Sequence, residues 1–374
     1  LNALPTIRAD LDRFLRDSWL NFLLVFIPIS LGMELLHAPG VWVFAATALA
    51  IVPLAGLIGQ ATEATAEHTG PGLGGLLNAT FGNATELIIA LFALHEGLLS
   101  VVKASISGSI LGNMLLVLGL SMMAGGWGRE RQTFSLTAAA ASTSMLMLAL
   151  TAMVMPALWD LVVFHSLGSH SPKVQSLSLL TSLVLLFIYG ASLVFSLVTH
   201  RDLFTSCARV AGEEPRFALR SALTLLLIAT IVTAIESEIL VHAIHTAARA
   251  WGLTELFIGV VIVAVVGNAA EHYSAVSVAR KGQMDLAFNI ALGSSTQIAL
   301  LVAPALVLCS YLFHHPMDLV FGPFELAALT LGVLNVAIAC LDGESNWFEG
   351  LQLVAVYLVL ALAFYFVPRE LTHR

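Results

Sequence analysis

The feature that most narrows the folds open to this chain is a five-residue pattern, Gly82-Asn83-Ala84-Thr85-Glu86, inside an apolar run from about Leu76 to Leu94. It returns as Gly267-Asn268-Ala269-Ala270-Glu271, inside a second apolar run from Leu256 to Val278. A carboxylate at mid-bilayer costs roughly 2.5–3.5 kcal/mol on insertion scales. Two of them in the same Gly-Asn-x-x-Glu setting, one in each half of the chain, point to chemistry rather than accident. The three-residue spacing predicts that Asn and Glu of each copy share one helix face. The glycine before them lets another backbone come close. Each copy thus offers carboxylate and amide oxygens at membrane depth, where a cation or a proton satisfies the charge.

The composition agrees with a bilayer as solvent. Of the 374 residues, 58% are hydrophobic and 11% charged, against about 25% charged in a soluble domain. The chain reads as an all-α, polytopic membrane protein. Its net charge of −8 is spread along the sequence and leaves no nucleic-acid footprint. Cys207, Cys309 and Cys340 lack metal or redox spacing and read as free packing residues. The start, to about Asp17, mixes Arg8, Arg13 and Arg16 with Asp10, Asp12 and Asp17. That is an amphipathic lead-in without a signal peptide's small-residue cleavage site.

Apolar stretches of about 20 residues, broken at Gly, Pro or charge clusters, predict about 11 transmembrane helices. They begin near Trp19, Val41, Gly74, Leu98, Ser135, Ser176, Phe217, Leu256, Met284, Pro323 and Trp347. The polar stretch His200 to Arg216, with Arg201, Asp202, Arg209, Glu213 and Glu214, is the natural joint between halves. With the N-terminus inside, the inner side holds Arg8, Arg13, Arg16, Arg129, Arg131, Arg201, Arg209, Arg216, Arg220, Arg280 and Lys281. The outer side holds Lys103, Lys173, Arg249, Arg369 and Arg374, which makes eleven basic residues against five. This asymmetry predicts a cytosolic N-terminus and joint and an external C-terminus.

Removing the first span leaves two sets of five, and an odd number per repeat inverts the second set. The expected division is 1–38 for the lead-in and first helix, 39–199 for one five-helix repeat, 200–216 for the joint and 217–374 for the second repeat. The echo extends beyond the central pattern. Ala61-Thr62-Glu63 is matched by Ala234-Ile235-Glu236, and Gly108-Ser109 through Asn113 by Gly293-Ser294-Ser295-Thr296-Gln297. Glu86 to Asn113 is 27 residues and Glu271 to Gln297 is 26.

Glu86 and Glu271 are the first candidates for cation and proton binding. Their hard, charged oxygens suit Ca²⁺, which takes 6–8 oxygens; a transition metal is more often met by His or Cys. A pair of structural carboxylates bonded to hydroxyls is the plainer alternative, though an expensive one. Asn83, Asn268, Asn113 and Gln297 serve either as ligands or as interhelical hydrogen bonders. Ser109, Ser294 and Ser295 are ligands or small residues at close contacts. Glu63, Glu67, Glu236 and Glu238, toward the ends of their spans, are interface anchors or a secondary acidic path. His272 points about 100° away from Glu271 on a helix and suits a tuning role. The remaining histidines show no His-Glu-x-x-His spacing, so a zinc protease has no support. Gly72, Gly74 and Gly75 read as a turn.

Gly82-Asn83-Ala84-Thr85-Glu86-Leu87-Ile88 and Gly267-Asn268-Ala269-Ala270-Glu271-His272 resemble the two repeat signatures of the calcium/proton exchangers, within the cation/calcium antiporter superfamily. Gly293-Ser294-Ser295-Thr296-Gln297-Ile298-Ala299 is similar to that family's following segment, and Gly108-Ser109 with Gly112-Asn113 to its first-half partner. The resemblance spans nearly the whole chain. It implies export of cytosolic Ca²⁺ against inward proton flow, with Glu86 and Glu271 as central ligands and proton acceptors. It also implies Ca²⁺ binding by Asn268, Ser294 and Gln297. The joint departs from the family's often longer acidic segment, since only Glu213 and Glu214 are adjacent acids. The sodium-coupled branch more often carries a proline beside its acid, and neither Glu86 nor Glu271 has one.

The expected partners are Ca²⁺ as transported substrate, H⁺ and the lipid bilayer, with no cofactor and no nucleic acid. Self-association into a homo-oligomer is left open. The expected location is the cytoplasmic membrane of a prokaryote, with a vacuolar-type membrane as alternative. A sodium-coupled exchanger and a Ca²⁺ channel are the competing functions. A channel needs a continuous pore, usually ringed by subunits. An intramembrane enzyme would need a nucleophile with a base, or a histidine-held metal, and neither spacing occurs.

Overall fold

Long apolar runs satisfy their backbone polar groups within themselves, which in a bilayer means helices. In the computed structural model the described residues are 14–15, 18–69, 71–165, 167, 171–200 and 217–368. Cys207, the charged joint from Arg201 to Arg216, the lead-in before Phe14 and the tail from Arg369 lie outside them. In chain order the helices are α1 (Leu20–Leu35), α2 (Gly40–Thr69), α3 (Pro71–Phe81), α4 (Ala84–His95) and α5 (Leu99–Gly126). There follow α6 (Leu136–Phe164), α7 (Pro172–Thr199), α8 (Leu219–Trp251), α9 (Glu255–Gly267), α10 (Ala269–Arg280), α11 (Met284–Ser310), α12 (Pro323–Ala339) and α13 (Trp347–Tyr365). The predicted span starts fall within four residues of these boundaries. Among the described residues seven helices are long and apolar enough to cross a membrane, eight if α9 and α10 form one bent span. The shorter apolar helices α1, α4 and α12 occupy three further predicted positions.

Local chemistry sets the ends. Ser135 and Ser171 cap α6 and α7 through their hydroxyls, and Pro172 and Pro323 open α7 and α12 where a missing N–H costs nothing. Asn346 and Glu349 form a reciprocal cap on α13. The left-handed Gly252 closes α8.

The two halves follow one plan. Each opens with a very long helix, α2 or α8, of 30 and 33 residues. A helix broken in the middle comes next, α3–α4 or α9–α10. Each third member, α5 or α11, contains a wide-turn stretch, Gly112–Val117 and Ile298–Val302. The long helices α2 and α8 pack along one another, while α5 crosses α9 at backbone distance. A Cβ on Gly108 would run into the Val260 carbonyl, and one on Gly259 would lie 2.6 Å from Ala104 Cβ. Small residues here are what the crossing requires. A two-residue antiparallel pair, β1 (Gln132–Thr133) with β2 (Glu344–Ser345), ties the turn after α5 to the turn after α12.

Three expectations change. Gly74 and Gly75 lie inside α3 rather than in a turn, because Gly74 sits against the Ala66 carbonyl and a side chain there would clash. Glu236 and Glu238 are central in α8, not near its end, because the helix runs on to Trp251, well past bilayer length. Asn and Glu of the repeated pattern do not share one continuous helix. The helix breaks at each asparagine, with φ −103° and ψ 30° at Asn83 and φ −95° and ψ 6° at Asn268. A 58° bend separates α9 from α10. Glycine followed by asparagine is a poor helix interior, and neither asparagine side chain caps the helix that follows; both bond the opposite repeat instead.

Gly108→Ala should lower the thermal midpoint of the purified protein clearly, because its methyl meets the Val260 backbone. Gly32→Ala, with nothing within 4 Å of its new Cβ, should leave the midpoint unchanged or raise it by the equivalent of about 0.4–1 kcal/mol. Fluorescence-detected thermal unfolding in detergent checks both.

Candidate functional site

The helix breaks place Glu86 in the first turn of α4 and Glu271 in the first turn of α10. A helix start carries unpaired N–H groups and the positive end of the helix dipole, which favour nearby negative charge. The glycines serve this contact in an unexpected way. A Cβ on Gly267 would lie 3.4 Å from Glu86 Cγ, and one on Gly82 3.6 Å from Gln297 Oε1. Both are ordinary contact distances, so these glycines lie against a polar side chain of the opposite repeat, and the close approach at Gly82 is to the Asn78 carbonyl at 2.7 Å; approach between crossing helices occurs at Gly108 and Gly259.

The amides cross between repeats reciprocally. Asn83 Nδ2 donates to Gln297 Oε1 at 2.6 Å, and Asn83 Oδ1 accepts from Ser294 Oγ at 2.8 Å. In the mirrored half, Asn268 Nδ2 donates to Ser109 Oγ at 2.8 Å, and Asn268 Oδ1 accepts from Asn113 Nδ2 at 2.8 Å. Asn268 Nδ2 also donates to the Ala264 carbonyl, fixing its orientation. Ser294 Oγ stands 2.6 Å from Glu271 Oε2, and the Asn113 amide faces Glu271 as well. Asn83, Ser109, Asn113, Asn268 and Ser294 are all buried, and Asn113 Oδ1 is a buried acceptor without a hydrogen-bond partner. All eight residues singled out as ligand candidates thus converge on one place.

Beside it lies a cavity of about 10 Å³, lined by Glu86, Ser105, Ser109 and Gly267 with Ile89, Val263, Ile298 and Val302. That is about the smallest space that holds one water. Among the described residues no three His, Cys, Asp or Glu side chains form a metal cluster. A cation here would be held by two carboxylates with amide and hydroxyl oxygens, a hard donor set.

Other candidates are placed elsewhere. The Ser295 hydroxyl faces the Ala291 carbonyl of its own helix at 2.9 Å and the Ile110 carbonyl of α5 at 3.3 Å, and it packs rather than joining the ring. Glu63 and Glu238 are exposed, Glu67 is half-buried, and Glu236 is fully buried against Ser30. His272 is half-buried with its Nε2 unpartnered. Sequence reasoning missed Ser30. It also missed the ion pair of Lys103 with Asp318 and the hydrogen bond of Ser107 to Glu325. Their partners lie more than 200 residues away in the chain, so no local signal marks them.

Two interrupted helices, one from each half of the chain, that meet with ionisable and amide groups at their breaks mark a secondary transporter. The chain belongs to the sodium/calcium exchanger protein family, whose model matches residues 39–198 and 221–366. It is 46% identical to a Ca(2+)/H(+) antiporter of Aphanothece halophytica, across 92% of this chain and 96% of that one. It is 45% identical to the Ca(2+)/H(+) antiporter ChaA of Bacillus subtilis (strain 168), across 91% and 96%. The solved structure of native YfkE superposes with a TM-score of 0.81 at 42% identity, over 93% of this chain and 100% of that one.

Asn268→Ala should destabilise the protein by about 1–3 kcal/mol, because it strands buried Ser109 and Asn113 groups. Ser295→Ala, which loses only hydroxyl bonds to the backbone carbonyls of Ala291 and Ile110, should lower the thermal midpoint less. Equal midpoints for the two variants would contradict the interlocked arrangement.

Proposed function

We propose that the chain is a secondary active antiporter that exports cytosolic Ca²⁺ in exchange for H⁺ by alternating access, with Glu86 and Glu271 binding both ions in turn. The observation that carries this is the meeting of two carboxylates from opposite repeats inside a ring of amide and hydroxyl oxygens. Relatives named Ca(2+)/H(+) antiporter at 45–46% identity over nearly full length favour the proton-coupled branch over sodium coupling. The reading is of a transporter without a resident cofactor, not an enzyme.

A dehydrated Ca²⁺ needs charge compensation, and the two glutamates supply −2. Asn83, Asn268, Asn113, Gln297, Ser109 and Ser294 supply or orient neutral oxygens. Once Ca²⁺ leaves, two bared charges in a poorly hydrated site repel one another and favour protonation. Ser294 makes the two states exclusive, because its single hydroxyl hydrogen faces both Asn83 Oδ1 and Glu271 Oε2. With Glu271 ionised, Ser294 donates to it and leaves Asn83 Oδ1 for the cation. With Glu271 protonated, the acid donates to Ser294 and Ser294 to Asn83. Each pH unit across the membrane then contributes about 1.4 kcal/mol per proton, and each net charge moved about 2.3 kcal/mol per 100 mV.

The membrane orientation in this reading is N-terminus and joint inside, C-terminus outside, with eleven spans and the repeat boundaries given above. The β1–β2 pair supports it, since six spans separate those turns and an even number returns the chain to one side. The cavity beside Glu86 then lies on the outer side of the site. Glu63, Glu67 and Glu238 are accessory acids along the aqueous approaches, and His272 tunes its neighbour.

Proteoliposomes with an acidic lumen and neutral exterior should accumulate Ca²⁺ without sodium, and nigericin in potassium buffer should collapse the uptake. Uptake that requires a sodium gradient and ignores nigericin would place the chain in the other branch. Glu86→Gln and Glu271→Gln should each insert normally and reduce exchange to background; transport by either variant would end the two-carboxylate scheme. For orientation, Glu130→Cys and Asp342→Cys in a background lacking the native cysteines should label from the cytosolic side, and Lys173→Cys from the opposite one. Labelling of all three from one side would refute the eleven-span arrangement.

A further inference from the structure

Away from the central cluster, the group whose surroundings are hardest to reconcile with a fixed charge is Glu236. It is 0% exposed, halfway along the 33-residue α8. Among the described residues its hydrogen-bond partner is Ser30 of α1, whose Oγ lies 2.8 Å from both Oε1 and Oε2. On α8 itself the arginines on either side are Arg220 and Arg249, sixteen and thirteen residues along, and the nearer His242 and His245 are paired with Glu96 and Glu255. At 1.5 Å per residue the arginine separations are about 24 and 20 Å. The titratable groups on the elements packed against this part of α8 are mostly acidic. They are Glu34 on α1, Glu86 and His95 on α4, Glu255 on α9, and Glu238, His242 and His245 on α8, with none on α2 between Gly40 and Gln60. An ionised Glu236 would be buried without a counter-charge, which is the costly case.

The hydrogen bonds resolve when a proton is added. Ser30 Oγ also lies 2.9 Å from the Ile27 carbonyl, and its one hydrogen cannot serve all three acceptors. With Glu236 neutral, its O–H donates to Ser30 Oγ and the Ser30 O–H donates to Ile27, so every hydrogen is used. Glu236 also breaks the symmetry of the halves. Its first-repeat counterpart in sequence, Glu63, is exposed, and the donor to Glu236 comes from α1, which lies outside both repeats. A spare donor is the second observation. Thr233, one turn before Glu236 and on the same face, holds a buried hydroxyl with no partner. A permanently neutral acid has no use for it, whereas a carboxylate that loses its proton can recruit it.

We propose that Glu236 is a second proton site of the transporter, separate from the Ca²⁺ site and completed by Ser30 of the N-terminal helix. Its carboxylic acid releases H⁺ to water on the cytosolic side, leaving a carboxylate held by Ser30 and Thr233, and is reprotonated from the outside. The helix carrying it packs against α4, which bears Glu86, so loading of the central site is felt at Glu236. The proposal rests on the exchanger reading and adds one proton to those displaced from Glu86 and Glu271.

The test is the coupling ratio of the full-length protein in proteoliposomes, taken from the Ca²⁺ gradient at which net flux vanishes at a set pH difference and clamped potential. Glu236→Gln should keep proton-driven transport with a ratio lower by one proton per Ca²⁺; an unchanged ratio overturns the proposal. If that variant transports nothing, infrared difference spectra of wild type and Ser30→Ala decide. A protonated-carboxyl band that Ser30→Ala moves to higher frequency should be present without Ca²⁺ and lost on Ca²⁺ binding. A Ser30-sensitive band that persists with Ca²⁺, or the lack of one, overturns the proposal. Wild-type protein that shows no proton-driven Ca²⁺ flux would instead retire the exchanger reading, while the band would still report on Glu236.

Discussion

Everything in this structure depends on the repulsion between two carboxylates placed where water is scarce. Glu86 and Glu271 stand on opposite repeats and meet at the starts of α4 and α10. A low-dielectric setting makes their charges expensive together and cheap only when compensated. In the proposed exchange Ca²⁺ compensates both at once, and protons compensate them one at a time. The helix breaks are the structural answer to that demand. They replace continuous helix by two helix starts, whose free N–H groups and dipoles make the neighbourhood tolerable for anions. The amide ring then fixes distances that two flexible glutamates would not keep alone.

The reciprocity of that ring has a mechanical meaning. Asn83 belongs to the first repeat and is held by Ser294 and Gln297 of the second. Asn268 belongs to the second and is held by Ser109 and Asn113 of the first. Neither repeat can shift against the other without breaking bonds that the opposite repeat supplies. The small-residue crossing of α5 over α9 adds a stiff floor beneath it. The long pair α2 and α8 carries the acids that lie outside this ring, one group of them exposed and Glu236 sealed.

Much of this was legible in the sequence because membrane folding leaves strong periodic marks. Span starts, the two-half plan and all eight ligand candidates follow from apolar run length and from a repeated polar pattern. What stayed hidden was backbone geometry and distant pairing. Gly82-Asn83 and Gly267-Asn268 read equally well as a helix interior with a close neighbour, and only the fold reveals a break at each asparagine. The depth of Glu236 was misjudged because α8 outruns the bilayer by many residues, so counting from its start misplaces the middle. Ser30 carries no motif at all; its meaning comes from a partner 206 positions away.

The central claim is that Ca²⁺ and protons compete for the same two carboxylates. Calorimetric titration of the purified protein with Ca²⁺, in two buffers of different ionisation enthalpy, measures it directly. Competition predicts that Ca²⁺ binding releases protons to the buffer, and that this release shrinks when Glu86 or Glu271 is replaced by glutamine in a variant that still binds Ca²⁺. Tight binding of Ca²⁺ to the wild-type protein with no proton release at neutral pH would contradict the account.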